Sequence, residues 1–204
     1  MLSAEEALER LKKGNLRFMN GETNHQRLLT HHERALMADT QEPFAIILGC
    51  SDSRVPAEMV FDQGLGDLFV IRVAGNIVAP SQVGSVEFAA DSFGCPIVIV
   101  LGHTHCGAIE STIEALCNPG QATSVNLMSI VNRVRPSVEI LMQTELKDDL
   151  KKLSCHAVRS NVFASVNQLR HGSAVLESLI LKGKLKVIGA EYSLETGEVT
   201  FFDF

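Results

Sequence analysis

The sequence predicts an α/β fold, in which a mostly parallel central β-sheet is flanked by helices and carries an N-terminal helical arm and an antiparallel C-terminal edge strand. Three observations lead to this prediction. Short apolar runs are continuous rather than alternating, which is typical of parallel strands buried on both faces. Segments with a helical spacing of apolar residues separate these runs, as in α/β domains. The length of 204 residues suits one compact domain with an appendage.

Residues 1–40 are predicted to form the arm, as two helices. Apolar residues recur at helical spacing in the first helix, and Ser3 with Glu6 matches a capping box. Gly21 interrupts this pattern, which resumes over 31–38. Because such an arm cannot bury its apolar face alone, we expect it to pack on the domain or on a second subunit.

The remaining elements alternate along residues 41–204, which are predicted to form a single α/β domain. The predicted strands are 43–49, 67–75, 96–102 and 184–190. The predicted helices are 84–93, 108–116, 125–141, 146–171 and 173–181. A turn at 195–197 precedes a last strand over 198–204, which is predicted to pair as a hairpin at the sheet edge.

Composition and charge argue against several classes of protein. The net charge is −6 and the basic residues are scattered, so we expect no binding to nucleic acid or to anionic membranes. The N-terminal segment does not have the pattern of a secretory signal, and no apolar run approaches the ~20 residues of a membrane span. The five cysteines are irregularly spaced, which predicts free thiols in a reducing cytoplasm rather than a disulfide framework.

Two cysteines and one histidine are the candidate metal ligands. Cys50 follows the first predicted strand, His103 follows the third, and Cys106 lies where the next helix begins. These residues can converge, because ligands of open α/β sheets bind at the carboxyl ends of the strands. Two thiolates and an imidazole suit Zn²⁺, and three protein ligands leave one position open, as in catalytic zinc sites. The alternative is that both cysteines are ordinary buried thiols.

An acid and a guanidinium accompany the first candidate ligand. Arg54 can hold Asp52 in a two-pronged ion pair, which keeps the carboxylate ionised. The fourth zinc position would then be occupied either by water, which the metal acidifies, or by the Asp52 carboxylate itself, which would close the site. The other interpretation of this pair is a surface turn with a weak ion pair. His105, next to Cys106, either faces away from the site or relays protons.

These residues lie in motifs that closely resemble the β-class carbonic anhydrases of bacteria. The motifs are CSDSRVPAE at 50–58, GDLFVIRVAGN at 66–76, GSVEFAA at 84–90 and VLGHTHCGAI at 100–109. The resemblance extends over essentially the whole chain. It implies reversible hydration of CO2 to bicarbonate and a proton by hydroxide formed on one Zn²⁺ per subunit. The metal ligands would be Cys50, His103 and Cys106, with Asp52 and Arg54 as the catalytic pair.

The resemblance also implies a substrate pocket and an oligomer. Val55, Phe69 and Phe88 would line a small apolar pocket for CO2, and Gly107 would lie beside a zinc ligand. The unit of the family is a dimer, often paired into tetramers. The helical arm wraps around the partner, and the active site lies at the subunit interface.

Two subtypes of the family differ at the zinc. Open-site members carry a glutamine nine residues before the first cysteine ligand, where its amide contacts substrate oxygen; Gln41 has this position, although by position alone it would face solvent. Closed-site members carry a tryptophan where this chain has Ile47, together with an arginine and a tyrosine that hold an inhibitory bicarbonate. Arg72 and Tyr192 match these last two residues. The absent tryptophan favours an open, water-bound zinc.

Two other functions stay open from the sequence. One is a related zinc hydrolase that acts on a CO2-like molecule such as carbon disulfide. The other is a zinc-binding structural or regulatory protein without catalytic activity, against which the intact Asp52–Arg54 pair argues.

Overall fold

Five strands form one sheet in the computed structural model, which describes residues 2–24, 35, 37–118 and 124–202. The strands are β1 (Ala45–Gly49), β2 (Leu68–Arg72), β3 (Ile97–His103), β4 (Lys186–Tyr192) and β5 (Val199–Phe202). Their order in the sheet is β2-β1-β3-β4-β5. The pairs among β1 to β4 are parallel, and β5 runs antiparallel to β4. The predicted fold class, including the antiparallel edge strand, is confirmed.

Helices cover both faces of this sheet. They are α1 (Ala4–Asn20), α2 (Ala57–Val60), α3 (Pro80–Ser92), α4 (Gly107–Cys117), α5 (Val125–Met142), α6 (Leu150–His171) and α7 (Ala174–Leu181). None of the helices in the described part of the chain is both long and apolar enough to cross a membrane. The predicted second helix of the arm, over 31–38, lies largely outside the described residues.

The two faces of the sheet bury two apolar clusters. Alternate residues of β1, such as Ile47, pack with α1 and α2, whereas Ile46 and Leu48 pack with α3, α6 and α7. A third cluster lies beyond the end of β1 and β3, where α4, α5 and α6 meet around Cys50 and Cys106. The continuous apolar runs of the strands thus reflect burial on both faces.

Helix α1 packs on the sheet of its own chain. The predicted capping box at Ser3 and Glu6 is present, with both of its hydrogen bonds formed. Ala7 and Leu11 are fully buried against the sheet. Asn15 is also buried and donates to the carbonyls of Val60 and Gly197. The first helix of the arm is therefore part of the core of this domain.

The boundaries of some elements differ from prediction. β2 ends at Arg72 rather than at residue 75, because Gly75 and Asn76 adopt positive φ angles of 69° and 43° and turn the chain. α3 begins at Pro80, four residues early, since proline is well suited to the first turn of a helix. α6 begins at Leu150, where the side chain of Asp149 caps it, and the preceding predicted helical residues form a separate 3-10 turn.

Candidate metal centre

The three candidate ligands meet at the point where the order of the strands reverses. β1 and β3 are neighbours, and the chain leaves β1 toward β2 on one side but leaves β3 toward β4 on the other. Open α/β sheets bind ligands at such a point, beyond the carboxyl ends of the strands. Cys50 immediately follows β1, His103 is the last residue of β3, and Cys106 is the N-cap of α4. The fold thus gathers three ligands from two separate segments of the chain.

The spacing of the ligand atoms suits a tetrahedral ion. The Sγ atoms of Cys50 and Cys106 lie 4.0 Å apart. The two sulfurs and a ring nitrogen of His103 all lie within 4.8 Å of one another. Zn–S bonds of about 2.3 Å at a tetrahedral angle place two sulfurs about 3.8 Å apart, close to the observed distance. All three residues are buried, at 5%, 0% and 1% exposure for Cys50, His103 and Cys106.

His103 presents one nitrogen to this site. Its Nδ1 lies 2.8 Å from the backbone carbonyl of Thr104. Its Nε2 is buried and has no hydrogen-bond partner among the described residues. Metal-binding histidines show this division, in which one ring nitrogen donates to a carbonyl and the other binds the ion. The unpartnered nitrogen is the observation that best shows that the site fits a metal.

The two thiols differ in their electrostatics. A hydrogen bond from Cys106, with smaller contributions from His103 and the backbone N–H of Gly75, lowers the pKa of Cys50 to about 4 against the opposing effect of burial. The Cys50 thiolate and burial raise the pKa of Cys106 well above the usual range. Because both sulfurs bind a divalent cation as thiolates, metal binding would release any proton that they hold.

Asp52 and Arg54 form the predicted two-pronged pair. Arg54 Nε donates to Asp52 Oδ1 at 2.9 Å, and Arg54 Nη2 donates to Oδ2 at 2.8 Å. The backbone N–H of Arg54 also donates to Oδ1, at 3.0 Å. The guanidinium holds the pKa of the Asp52 carboxyl well below its usual range. Asp52 Oδ2 lies 3.9 Å from Nε2 of His103, so an ionised carboxylate borders the metal centre.

A second arginine fixes the backbone of the same loop. Arg72 Nε donates to the carbonyl of Cys50 at 3.0 Å, and its Nη2 donates to the carbonyl of Asp52 at 2.5 Å. The family resemblance connects Arg72 only with the inhibitory bicarbonate of closed-site members, so this supporting contact was missed. Its place at the end of β2, in register with Gly49, is the signal that could have located it beside the site.

The segment between the ligands of β3 and α4 is tied to the loop that follows β4. Thr104 Oγ1 donates to Glu195 Oε2 at 2.8 Å, and His105 Nε2 lies 2.6 Å from Glu195 Oε1. The hydroxyl of Thr104 and the ring of His105 lower the pKa of Glu195 to about 2. The backbone carbonyl of His105 accepts from Arg54 Nη2 at 3.2 Å. The sequence predicted a turn at Glu195 but no contact with His105, which is about ninety residues away.

Two of the residues assigned to the substrate pocket lie at the metal centre. Val55 is buried, and its N–H donates to the carbonyl of Asp52 at 3.0 Å. Gly107 begins α4, directly after Cys106, and an added Cβ there would meet no atom within 4 Å.

The other three assigned residues lie elsewhere in the same chain. Gln41 precedes β1 and lines a shallow hollow with Phe93, whereas Cys50 follows β1. Strands advance about 3.3 Å per residue, so β1 alone separates these ends of the sheet by about 15 Å. Phe69, Phe88 and Phe93 pack with ring centroids 5.4 to 6.2 Å apart. Phe88 is 53% exposed. Phe69 is in register with Ile46, four residues before Cys50, and Phe88 packs on Phe69. One chain therefore does not bring these rings or Gln41 to its own metal centre.

Comparison with known proteins identifies relatives over nearly all of the chain. The sequence model of a family described as carbonic anhydrase matches residues 45–199. The chain is 37% identical over 197 residues to carbonic anhydrase 2 of Mycobacterium tuberculosis, which covers 97% of this chain and 92% of the relative. It is 36% identical to a carbonic anhydrase of Mycolicibacterium smegmatis, over 95% of this chain and 90% of the relative.

Solved structures give the same result for the fold. The β-carbonic anhydrase CcaA superposes with a TM-score of 0.74 at 25% identity and covers 96% of this chain and 87% of its own. A chain of one of two β-carbonic anhydrases of Sordaria macrospora, both described as tetrameric, gives a TM-score of 0.74 at 23% identity, with 91% of each chain covered.

Proposed function

We propose that this chain, a member of the β-class carbonic anhydrase family, holds one Zn²⁺ per subunit on Cys50, His103 and Cys106. It catalyses the reversible hydration of CO2 to bicarbonate and a proton. The observation that carries the proposal is the convergence of two sulfurs and an unpartnered histidine nitrogen at tetrahedral spacing. The homologues of the chain are carbonic anhydrases, so neither a carbon disulfide hydrolase nor a non-catalytic zinc protein is favoured.

Asp52 and Arg54 prepare the site for a water molecule. A zinc ion held by these residues would supply the Lewis acidity that makes water a nucleophile at neutral pH. The ionised Asp52 carboxylate borders the centre and would accept a hydrogen bond from a water molecule there, which would turn a lone pair of the water oxygen toward CO2. Arg54 occupies both carboxylate oxygens, which supports an open site in which Asp52 does not bind the metal. Arg72 holds the carbonyls of this loop in place.

The CO2 pocket is proposed to form between two copies of the chain. Val55 and Gly107 lie at the metal centre of their own subunit, whereas Gln41, Phe69 and Phe88 lie far from it. The exposed ring of Phe88 and the partly buried Phe69 give an apolar surface that a second subunit would cover. A second copy could bring its Gln41 to the substrate oxygen, as the family resemblance implies. The protein would then act as a dimer or as a tetramer built from dimers.

We also assign the chain to the cytoplasm. Support comes from its cysteines, all five of which are free thiols. Free thiols and thiolate metal ligands persist in a reducing compartment. The partner that this function requires is a small molecule, CO2 or bicarbonate.

The proposal is tested by stopped-flow CO2 hydration of Asp52→Asn, with zinc content measured on the same samples. We expect Asp52→Asn to keep its zinc and to lose at least about 10²-fold in kcat/KM, because the amide accepts a hydrogen bond poorly and loses its charge-assisted pair with Arg54. Glu114→Gln, on the exposed side of α4, is the control and should hydrate CO2 at the wild-type rate. An Asp52→Asn protein with full zinc and wild-type kcat/KM would contradict the role of the carboxylate.

A further inference from the structure

The turn after β2 gives a backbone hydrogen bond to one of the metal ligands. The N–H of Gly75 lies 3.3 Å from Cys50 Sγ. Gly75 and Asn76 both have positive φ angles, of 69° and 43°. The N–H of Asn76 donates to the carbonyl of Val73 at 3.0 Å, so Gly75 supplies the N–H that faces the sulfur. The acceptor is the Cys50 thiolate.

Gly75 is also tightly enclosed. A Cβ added to it would lie 3.1 Å from the Cβ of Ala108 and 3.5 Å from Val134 Cγ2. The turn thus lies directly against α4 and α5, and only glycine fits the left-handed conformation without strain. Its N–H can reach the sulfur only while the turn keeps this position.

Two polar side chains of α6 hold the turn from the other side. Asn161 Nδ2 donates to the carbonyl of Gly75 at 2.8 Å, and Ser165 Oγ donates to the carbonyl of Asn76 at 3.1 Å. The two donors lie one helical turn apart, so they face the same way. Asn161 is 2% exposed and Ser165 is 4% exposed.

Polar side chains are costly at such positions. α6 buries a row of valines, among them Val158, Val162 and Val166, around these two residues. A buried amide or hydroxyl destabilises the fold unless it is hydrogen bonded, and apolar residues would otherwise pack as well. The hydrogen bonds to two consecutive carbonyls of the turn explain why these two buried positions of α6 carry polar side chains.

We propose that Asn161 and Ser165 are positioning residues for the metal centre: they fix the turn at Gly75 and Asn76 so that the Gly75 N–H stabilises the Cys50 thiolate as a ligand. This inference rests on the proposed zinc site. Neither residue contacts the ligands directly; each acts through one carbonyl of the turn. Groups that support metal ligands in this way typically change metal affinity or activity by 10- to 100-fold when they are removed.

The test compares Ser165→Ala and Asn161→Ala with a structural control, Ser137→Ala. Ser137 lies on α5 and is as buried as Ser165, at 4%. Each protein is stripped of metal and titrated with Zn²⁺ against a chromophoric chelator. Each is also loaded with Co²⁺, and the energy of its thiolate-to-metal charge-transfer band reports how readily the Cys50 and Cys106 sulfurs donate electrons to the metal.

We expect Ser165→Ala and Asn161→Ala to bind zinc about 10-fold or more weakly than wild type. We also expect their thiolate-to-cobalt band to move to lower energy, because a sulfur that loses a hydrogen bond gives up its electrons more readily. Ser137→Ala, at an equally buried position away from the turn, should show neither change. If Asn161→Ala does not fold, Ser165→Ala decides the question alone.

Two results would overturn the inference; one leaves the proposed zinc site standing and the other does not. A wild-type cobalt spectrum and zinc affinity in the two α6 variants would make the contacts purely structural and leave the zinc site intact. The absence of a thiolate-to-cobalt band in the wild-type protein would overturn the proposed zinc site together with this inference.

Discussion

At the scale of single residues, the pairing of Arg54 with Asp52 controls the charge next to the metal centre. Arg54 makes two side-chain hydrogen bonds and one backbone hydrogen bond to the carboxylate and lowers the pKa of Asp52. Asp52 is therefore ionised throughout the neutral range and well into acid. The stabilisation that this carboxylate gives the native state is fully present above the pKa of an unfolded carboxyl, about 3.9. It is lost only as the pH falls through the lower pKa of Asp52 in the folded state.

We expect Arg54→Met to keep zinc and to slow CO2 hydration by about 10- to 100-fold at pH 8, because the carboxylate is no longer fixed. Arg54→Lys should recover little of this, since an ammonium cannot make the two parallel bonds. The ratio of wild-type to Arg54→Met rates should widen at acid pH, followed there as bicarbonate dehydration, because Asp52 protonates at a higher pH in the variant than in the wild type. Stopped-flow pH profiles measure this ratio, with Arg135→Met as the control for the loss of an exposed, paired arginine.

A constant ratio across the pH range would mean that Arg54 does not set the ionisation of Asp52. Equal rates for Arg54→Met and wild type would contradict the positional role as well.

Much of the metal centre could be predicted at this scale, and the reason is geometric. Cys50 and His103 come directly after apolar runs, and the carboxyl ends of neighbouring parallel strands must meet. The supporting contacts could not be predicted. Asn161 reaches Gly75 across 86 residues, and Glu195 reaches His105 across 90. Such pairs depend on how helices and loops pack on the sheet, which spacing along the chain does not encode.

At the scale of elements, the attachment of α1 to the sheet depends on close backbone contact. Gly14 lies on the buried side of α1, and a Cβ there would come within 1.8 Å of the carbonyl oxygen of Phe61. The neighbouring Asn15 accepts from the N–H of Val199 and so joins α1 to the edge strand β5. The obstructing atom belongs to the backbone, which cannot rotate out of the way as a flexible side chain could.

We expect Gly14→Ala to lower the free energy of unfolding by at least about 2 kcal/mol, because the backbone of α1 must move away from α2. Lys13→Ala, at the exposed position next to it, should stay within about 0.5 kcal/mol of wild type. Urea unfolding followed by circular dichroism, at equal protein concentration, measures both. Equal stability of Gly14→Ala and wild type would contradict the packing of α1 described here.

The prediction of elements succeeded where the apolar pattern was continuous and failed where the backbone conformation mattered more. β1, β3 and β4 follow from their apolar runs. The predicted end of β2 was wrong because the run continues past Arg72 into a turn that Gly75 and Asn76 impose. The four residues of α2, Ala57–Val60, form too short a helix to show a helical period.

At the scale of the whole molecule, each proposed substrate pocket requires two copies of the chain. Gln41 lies at the opposite end of β1 from Cys50, and only a second subunit could bring it to the metal centre. The order of the strands, which places β1 between β2 and β3, could not be predicted from the sequence, and it is this order that locates the centre. The family resemblance, rather than any pattern of residues, indicated the dimer.

Hybrid dimers of Gln41→Ala and Asp52→Asn chains test this arrangement. If Gln41 serves the site of its partner, one site of the hybrid combines an intact Asp52 with an intact Gln41. Co-expressed chains, separated by different affinity tags, should then hydrate CO2 faster per zinc than either variant alone. A hybrid no faster than the average of its two parents would show that Gln41 does not act across the interface.

The measurement that tests the central claim most directly is a titration of the metal-free protein with Zn²⁺, followed by stopped-flow CO2 hydration at neutral pH. We predict that activity rises in proportion to zinc and stops rising at one ion per chain. Cys106→Ser, which removes one of the three ligands, should need far more zinc and reach far less activity. Turnover that does not depend on zinc, or a protein that binds one zinc per chain and does not hydrate CO2, would contradict a catalytic zinc on Cys50, His103 and Cys106.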